Sequence, residues 1–367
     1  MFFINNYSFY STHRKELIEF LSDYKRMFVV CNMKGNKDEF NRVSFIDTNF
    51  SDASFSLINI LKDTYLSFRV LFKSKEHINF FVSPRIILLG ILNSFLFRKK
   101  KFIYIFSGFG YLFINQTLSS QLIRAVYMLL LRSSVFFNKS ECIVQNKDDY
   151  EFLKNSGINK KYIKIIHGNG LNHKNFVNSN NSKNLSIVKF LFVGRLLKDK
   201  GLIEFLESSK EIIKAYQGQI LIGVAGSSDK NNPASLNQEN LKKEYDFEEI
   251  NFFGDLSQSE VMDLYAEYNV FVLPSYREGL PRSAIEASLS GMPLILSDVP
   301  GCRECLEEGK NGFFVRDRSA KEILKKMKYF VQNKEKINQM GTYSRKMAIK
   351  KFSGDKIFNE YLAIIKE

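Results

Sequence analysis

LPSYREGLPRSAIEASLSGMPLILSDVPG, residues 273–301, holds a strand end, a tight turn, a helix and a second strand in one short run. The apolar segments Val270–Leu273 and Leu294–Leu296 are short and continuously hydrophobic, the pattern of parallel strands buried on both faces. Between them Arg282–Ser290 reads as a helix, and Pro281 suits its first position, where a missing N–H costs nothing. In open α/β sheets ligands sit beyond the carboxyl ends of parallel strands, which is where Glu278 falls. The unpaired N–H groups between Gly279 and Ser283 would face that crevice and offer a seat for a phosphate. Glu286, eight residues after Glu278 and in the second turn of the helix, can reach a vicinal diol with both oxygens while an anion sits at the helix start.

The same strand–helix unit recurs around this stretch. Upstream, strand Phe190–Val193 runs into VGRLLKDKG (193–201) and a helix from about Gly201 to Tyr216. Gly194 allows close backbone approach, Arg195 offers a planar fork and Lys200 a compact charge, so two cations beside a helix start could neutralise a diphosphate. Strands Ile220–Ala225, Asn251–Phe253 and Phe313–Val315, with helices at 257–268 and 301–308, complete a doubly wound α/β domain. A variable loop covers 227–233. The first half alternates in the same way, with strands Phe28–Cys31, Ile78–Ser83, Phe102–Phe106, Cys142–Gln145 and Ile163–Ile166. Its first strand is followed by no G-x-G-x-x-G turn, so the dinucleotide fingerprint is absent. Ser107 and Gly108 stand at a strand exit, either a tight turn or a ligand contact. The polar run 178–184, NSNNSKN, reads as the linker between a first domain, 1–178, and a second, 185–347. No repeat of solenoid length occurs.

The chain has 367 residues, with 53 Lys+Arg against 39 Asp+Glu. Residues 1–180 carry 25 basic and 13 acidic side chains, and the remainder 28 and 26, so the positive field belongs to the first half. A polyanion or an anionic membrane face is its natural partner. Two segments bear on this. Ile86–Phe97, IILLGILNSFLF, precedes Arg98–Lys101 and is too short to span a bilayer. It is either a buried helix with a basic end or a surface-seeking element whose apolar residues enter the lipid interface. Leu122–Lys139 repeats the chemistry, with Arg124, Arg132 and Lys139 framing a Leu-rich face. Four cysteines in such a length exclude a disulfide scaffold, and nothing at the start has the form of a signal peptide.

At FVGRLLKDKG, the FFGDL strand end, LPSYREGLPRSAIEA with its Glu-x7-Glu at Glu278 and Glu286, and SDVPGCRE, the chain resembles the retaining glycosyltransferases of family 4. IHGNGLNHKNF (166–176) is similar to that family's hinge signature. The likeness is specific over about 140–330 and thin before residue 100. It is nearest to bacterial enzymes of the alpha-1,3-N-acetylgalactosaminyltransferase type, which extend undecaprenyl-diphosphate-linked sugars; SGFGYLF (107–113) and the basic amphipathic helices share in it. The resemblance implies a GT-B fold, two Rossmann-like domains facing each other across a deep cleft, with 348–367 a helix packing back on the first. It implies that Arg195 and Lys200 hold the donor diphosphate, that Glu286 binds the ribose hydroxyls and that Glu278 contacts the transferred sugar. Gly279 and Leu280 would lie near phosphates and sugar, Phe253 to Leu256 would border the base, and Gly168 and Gly170 would let the first domain close on the donor.

The expected donor is a UDP-sugar, an N-acetylhexosamine or hexose, and the acceptor a polyprenyl-diphosphate-linked saccharide of O-antigen, capsule or glycan assembly. The protein would then sit peripherally on the cytoplasmic face of the plasma membrane. No Asp-x-Asp pair occurs, Asp148 and Asp149 being adjacent, so no metal and no further cofactor are expected. Arg195, Lys200 and the helix dipole would stabilise the leaving group. No protein nucleophile is required. Among the histidines, His13 is topologically best placed to face the cleft and His167 next, though both are read as structural before catalytic. Cys302 and Cys305 form a C-x-x-C inside the SDVPG loop, where a redox role is disfavoured. Nucleic acid is disfavoured by the near-neutral second half. A non-catalytic subunit is the alternative, against which the intact Arg195, Lys200, Glu278 and Glu286 speak.

Overall fold

The computed structural model of the chain describes residues 1–34, 42–51, 56–109, 117–177, 185–229, 232 and 234–366. The linker expected at 178–184 lies outside them, as do residues 110–113 and Lys230, Asn231 and Pro233 of two other stretches singled out above. The chain divides into two compact units, Met1–Gly170 with Gly354–Glu367, and Leu171–Ser353. The passage from one to the other therefore falls at 170/171, ahead of the polar run, and the return falls at 353/354, six residues later than expected.

The first unit contains β1 (Phe2–Asn6), α1 (Tyr7–His13), α2 (Lys15–Ser22), β2 (Met27–Asn32), β3 (Val43–Asp47), α3 (Leu57–Lys73), β4 (Ile78–Val82), α4 (Pro84–Ser94), β5 (Lys101–Phe106), α5 (Leu118–Asn138), β6 (Glu141–Val144), α6 (Lys147–Asn155) and β7 (Ile163–Ile165). The second contains β8 (Val188–Val193), α7 (Leu202–Ala215), β9 (Ile220–Ala225), α8 (Gln238–Glu244), β10 (Ile250–Gly254), α9 (Gln258–Glu267), β11 (Val270–Leu273), α10 (Arg282–Leu289), β12 (Leu294–Ser297), α11 (Cys302–Cys305), β13 (Gly312–Val315), α12 (Ala320–Gln332) and α13 (Lys334–Phe352). The last helix, α14 (Gly354–Lys366), belongs to the first unit.

The seven-stranded sheet of the first unit has the order β3-β2-β1-β4-β5-β6-β7, and the six-stranded sheet of the second β10-β9-β8-β11-β12-β13. Every pair is parallel. Alternation along the strands assigns the two faces of the first sheet. Phe3, Phe81 and Tyr104 join the core under α3, α4 and α5, while Phe2, Phe80 and Ile103 join the core under α2 and α14. Register Phe2↔Phe80 and Phe3↔Phe81 stacks one phenylalanine pair on each face, both with ring centroids 4.4 Å apart. Such aromatic pairs add to what burial alone supplies.

The segment Ile86–Phe97 proves to be core up to Ser94, with Leu96 exposed beyond the helix end. Ile86, Ile87, Leu89 and Ile91 are fully buried, and α4 packs between α3 and α5. It lies so close to the sheet that a Cβ on Gly90 would stand 2.6 Å from the Phe81 ring. The surface-seeking reading of this segment is therefore corrected: a helix apolar all round is a buried helix. Two smaller expectations also shift. Pro281 caps α10 from outside, and the helix expected at 301–308 is the single turn Cys302–Cys305.

Asp149 sits in the first turn of α6, where Asn146 caps the helix by accepting its N–H at 2.7 Å and donating to its carboxylate at 2.9 Å. Burial pushes the Asp149 carboxyl up to about 6, against the Asn146 hydrogen bond and with a small addition from Asp148. Because the folded state holds this proton more tightly than the unfolded chain, the contribution to stability is present below the unfolded value near 3.8 and is lost as pH rises through about 6. Asp149→Asn should therefore gain stability over the native chain as pH rises from 4.5 to 7, on the order of 2–3 kcal/mol at the plateau. Urea midpoints across this range would check it; a pH-independent difference would contradict it.

Candidate active site

In the second unit the strand order reverses between β8 and β11, neighbours whose helices leave on opposite sides. Such a switch point opens a crevice at the carboxyl ends of the strands. Arg195 and Lys200 follow β8, and Ser275 and Glu278 follow β11, so elements nearly eighty residues apart in sequence meet there. Lys200 Nζ lies 2.6 Å from Glu278 Oε1, with the two side chains 20% and 10% exposed. The Ser275 hydroxyl donates to the same oxygen at 2.8 Å. A second bond ties the two loops: Arg277 donates to Asp199 Oδ2 through Nε at 3.3 Å and Nη2 at 3.2 Å.

Backbone approaches as closely as the side chains. Gly201, at φ +70, begins α7 where a Cβ would stand 2.1 Å from the Pro274 carbonyl oxygen. Gly301, at φ +79, lies where a Cβ would stand 2.5 Å from the Gly279 carbonyl oxygen. Only glycine meets both the left-handed conformation and the space. The loops after β8, β11 and β12 thus form one continuous surface.

Arg195 projects from this surface. Its side chain is 59% exposed and meets Asp229 only at 3.6 Å, an ion pair in solvent and of little energy. Glu286 is the opposite case, 9% exposed in α10. Arg282, one turn earlier, donates from Nε to Oε1 at 2.7 Å, and the Tyr265 hydroxyl of α9 donates to Oε2 at 3.2 Å. Burial and the adjacent Glu286 carboxylate push the Tyr265 hydroxyl well above its ordinary range, so it stays a donor. A carboxylate has about four acceptor positions, and two remain for a ligand. Phe253, next to last in β10, is 36% exposed and edge-on to Tyr268 with centroids 6.2 Å apart, and Leu256 and Leu280 pack against the core beneath.

Ser275, Arg282, Tyr265 and the Asp199–Arg277 pair were not among the residues singled out from sequence. Only Arg282 carried a legible signal, its i,i+4 spacing to Glu286. Cys302 and Cys305 are fully buried free thiols, pushed up by burial and so disfavoured as thiolates.

The remaining candidates belong to the first unit. His13 ends α1 with its ring 4.8 Å from Phe9. Ser107 and Gly108 follow β5 directly. His167, just beyond β7, shares its Nδ1 with the Gln145 carbonyl oxygen at 3.1 Å. Gly168 and Gly170 both have positive φ, and Gly170 lies against Gly354 and Phe358 of α14, a packing reason for its lack of a side chain.

Two doubly wound parallel sheets in tandem, with the last helix returned to the first unit, define the GT-B class of folds. HepE of Anabaena, solved in complex with UDP and glucose, is similar over 100% of this chain and 99% of its own, with a TM-score of 0.77 and 15% identity. Residues 173–347, most of the second unit, match the family model of glycosyl transferases group 1. The chain is 30% identical over 239 residues to the N,N'-diacetylbacillosaminyl-diphospho-undecaprenol alpha-1,3-N-acetylgalactosaminyltransferase of Campylobacter jejuni, a match covering 62% of this chain. It is 29% identical over 204 residues, 52% of this chain, to the capsular polysaccharide biosynthesis glycosyltransferase CapM of Staphylococcus aureus. The chain spans 60% and 51% of the length of these two relatives.

Proposed function

We propose that the protein is a glycosyltransferase that moves a sugar from a UDP-sugar to a polyprenyl-diphosphate-linked saccharide, with retention of configuration, in the assembly of a surface polysaccharide or glycan. The observation that carries this is the Lys200–Glu278 pair at a switch point where Arg195 follows β8 and from which α10, bearing Glu286, departs. The diphosphate lies at the amino end of α10 beside Arg195 and Lys200, and Glu286 accepts from the two ribose hydroxyls through its remaining lone pairs. Glu278 orients Lys200 and meets a hydroxyl of the transferred sugar. As the glycosidic bond breaks, negative charge grows on the diphosphate, and cations already fixed in place stabilise it without reorganisation. The departing phosphate oxygen takes the proton of the acceptor hydroxyl on the same face, so the protein supplies neither nucleophile nor metal. The names of the relatives, one acting on an undecaprenol-linked substrate and one in capsule synthesis, support the acceptor class. Such an acceptor places the protein at an anionic membrane face; among the described residues no helix is long and apolar enough to cross one.

Thermal melting with UDP, GDP and ADP tests the donor reading. A ligand at 100 times its Kd stabilises the native state by about 2.7 kcal/mol, which reads as a shift of several degrees. UDP is expected to give it and the other two far less. Equal shifts from all three, or none from UDP, would overturn it.

A further inference from the structure

The outward side of the α3–α4–α5 layer differs from the rest of the described surface. α3 and α5 flank the buried α4, and each turns a second apolar face to solvent. On α3, Leu57, Leu61 and Tyr65 recur at four-residue spacing with 71%, 60% and 60% exposure. On α5 the stripe Leu118, Leu122, Val126, Leu129 and Phe136 runs the whole helix, about 31 Å at 1.5 Å per residue. Of eighteen large hydrophobic side chains exposed among the described residues, thirteen lie on α3, on α5 or at Leu96 just beyond α4. Exposed apolar residues scattered singly need no explanation, but a concentration of this kind does.

The fully exposed charges of this layer are all positive. Residues 57–139 contain twelve Lys or Arg and two acidic residues. Asp63 is fully buried against Arg85, and Glu76 lies 3.6 Å from Lys25. Lys62, Arg69, Lys73, Arg98 and Lys99 are exposed with no carboxylate partner among the described residues. The first three also line a groove of about 890 Å³ between α3 and the β2–β3 edge, floored by Phe28 and Ile46.

We infer that this face, not the α4 segment, docks the protein on an anionic phospholipid bilayer, the α3 and α5 stripes entering the interface and the cations meeting headgroup phosphates. The sign of the charge selects the occupant. A second copy bound through the same face would set cations against cations, and a soluble polyanion would leave the apolar stripes wet. An interfacial surface needs both features together. The inference deepens the membrane-linked acceptor reading and rests on it only for its purpose; the measurement below uses neither donor nor acceptor.

Full-length protein sedimented with phosphatidylcholine vesicles containing phosphatidylglycerol is expected to partition strongly, and with phosphatidylcholine alone weakly. Raising salt until the Debye length falls from about 10 Å to about 3 Å should release most of it. The double variant Leu61→Glu/Leu129→Glu should lose at least about tenfold in partitioning. Lys62→Gln/Lys99→Gln should lose about fivefold per cation at low salt. Should the leucine pair fold poorly, the charge pair carries the test alone. UDP-dependent melting of both variants should match the native chain, since the donor residues lie in the other unit; failure of the donor reading would show there, in the native chain too. Native partitioning in both double variants, or indifference of the native chain to lipid charge, would overturn the inference, as would a native dimer that the leucine pair dissociates.

Discussion

Lys200→Ala is expected to lower kcat/KM for sugar transfer by about 10²–10³, the range seen when a preorganised donor to a developing anion is removed. It is also expected to cost about 3 kcal/mol of stability, because Glu278, only 10% exposed, would lose its cation and have Ser275 as its one remaining partner. The two effects separate in a cycle. Glu278→Gln/Lys200→Met removes both charges and should recover much of the melting temperature, since no buried charge is left unpaired. Activity should remain low, because the leaving diphosphate has lost its fixed cation. Melting curves and initial rates on the four proteins check this. Recovery of both quantities together would mean that the pair is only a strut between the loops after β8 and β11.

Glu286→Ala is expected to weaken UDP binding by about 1.5–3 kcal/mol, roughly 10–150-fold, as for loss of hydrogen bonds to a charged acceptor. If the carboxylate binds the ribose equally in ground and transition states, kcat moves little and KM carries the change. A 2′,3′-dideoxy analogue of UDP supplies the control. It should bind the native chain about as weakly as UDP binds the variant, and lose nothing further on the variant. Calorimetric titration of the four pairs checks the coupling. Additive losses would mean that Glu286 acts by holding Arg282 and Tyr265 and touches no ribose.

The strands that meet at the site were legible because parallel strands buried on both faces leave continuous apolar runs, and Val270–Leu273 and Ile220–Ala225 have the same bounds in sequence and structure. β3 (Val43–Asp47) was missed. It is an edge strand with Ser44 and Asp47 among its five residues, and an edge is half solvated. The candidate residues after β8 and β11 could each be placed at a strand end, but the Lys200–Glu278 bond follows from the adjacency β8-β11, and sheet order is not written in local pattern. The helices of the first unit show the same limit. LINILKDTYLSFRVLFK and IILLGILNSFLF are both rich in apolar residues, yet α4 is enclosed by neighbours on two sides and α3 by one. Periodicity reports how many apolar faces a helix has and not how many find cover.

The chain leaves the first unit at Gly170 and returns at Gly354, and the two crossings run side by side: Gly170 lies against Gly354, and Leu171 N–H donates to the Phe352 carbonyl at 3.2 Å. The second unit is thus a single uninterrupted cassette, removable with one pair of cuts at neighbouring points. The first is not, for its sheet depends on Ile357, Phe358 and Tyr361 of α14. Recombination between such genes can therefore exchange the 171–353 portion in one event and preserve its foldedness, whereas exchange of the amino-terminal portion alone strands its closing helix with a foreign host.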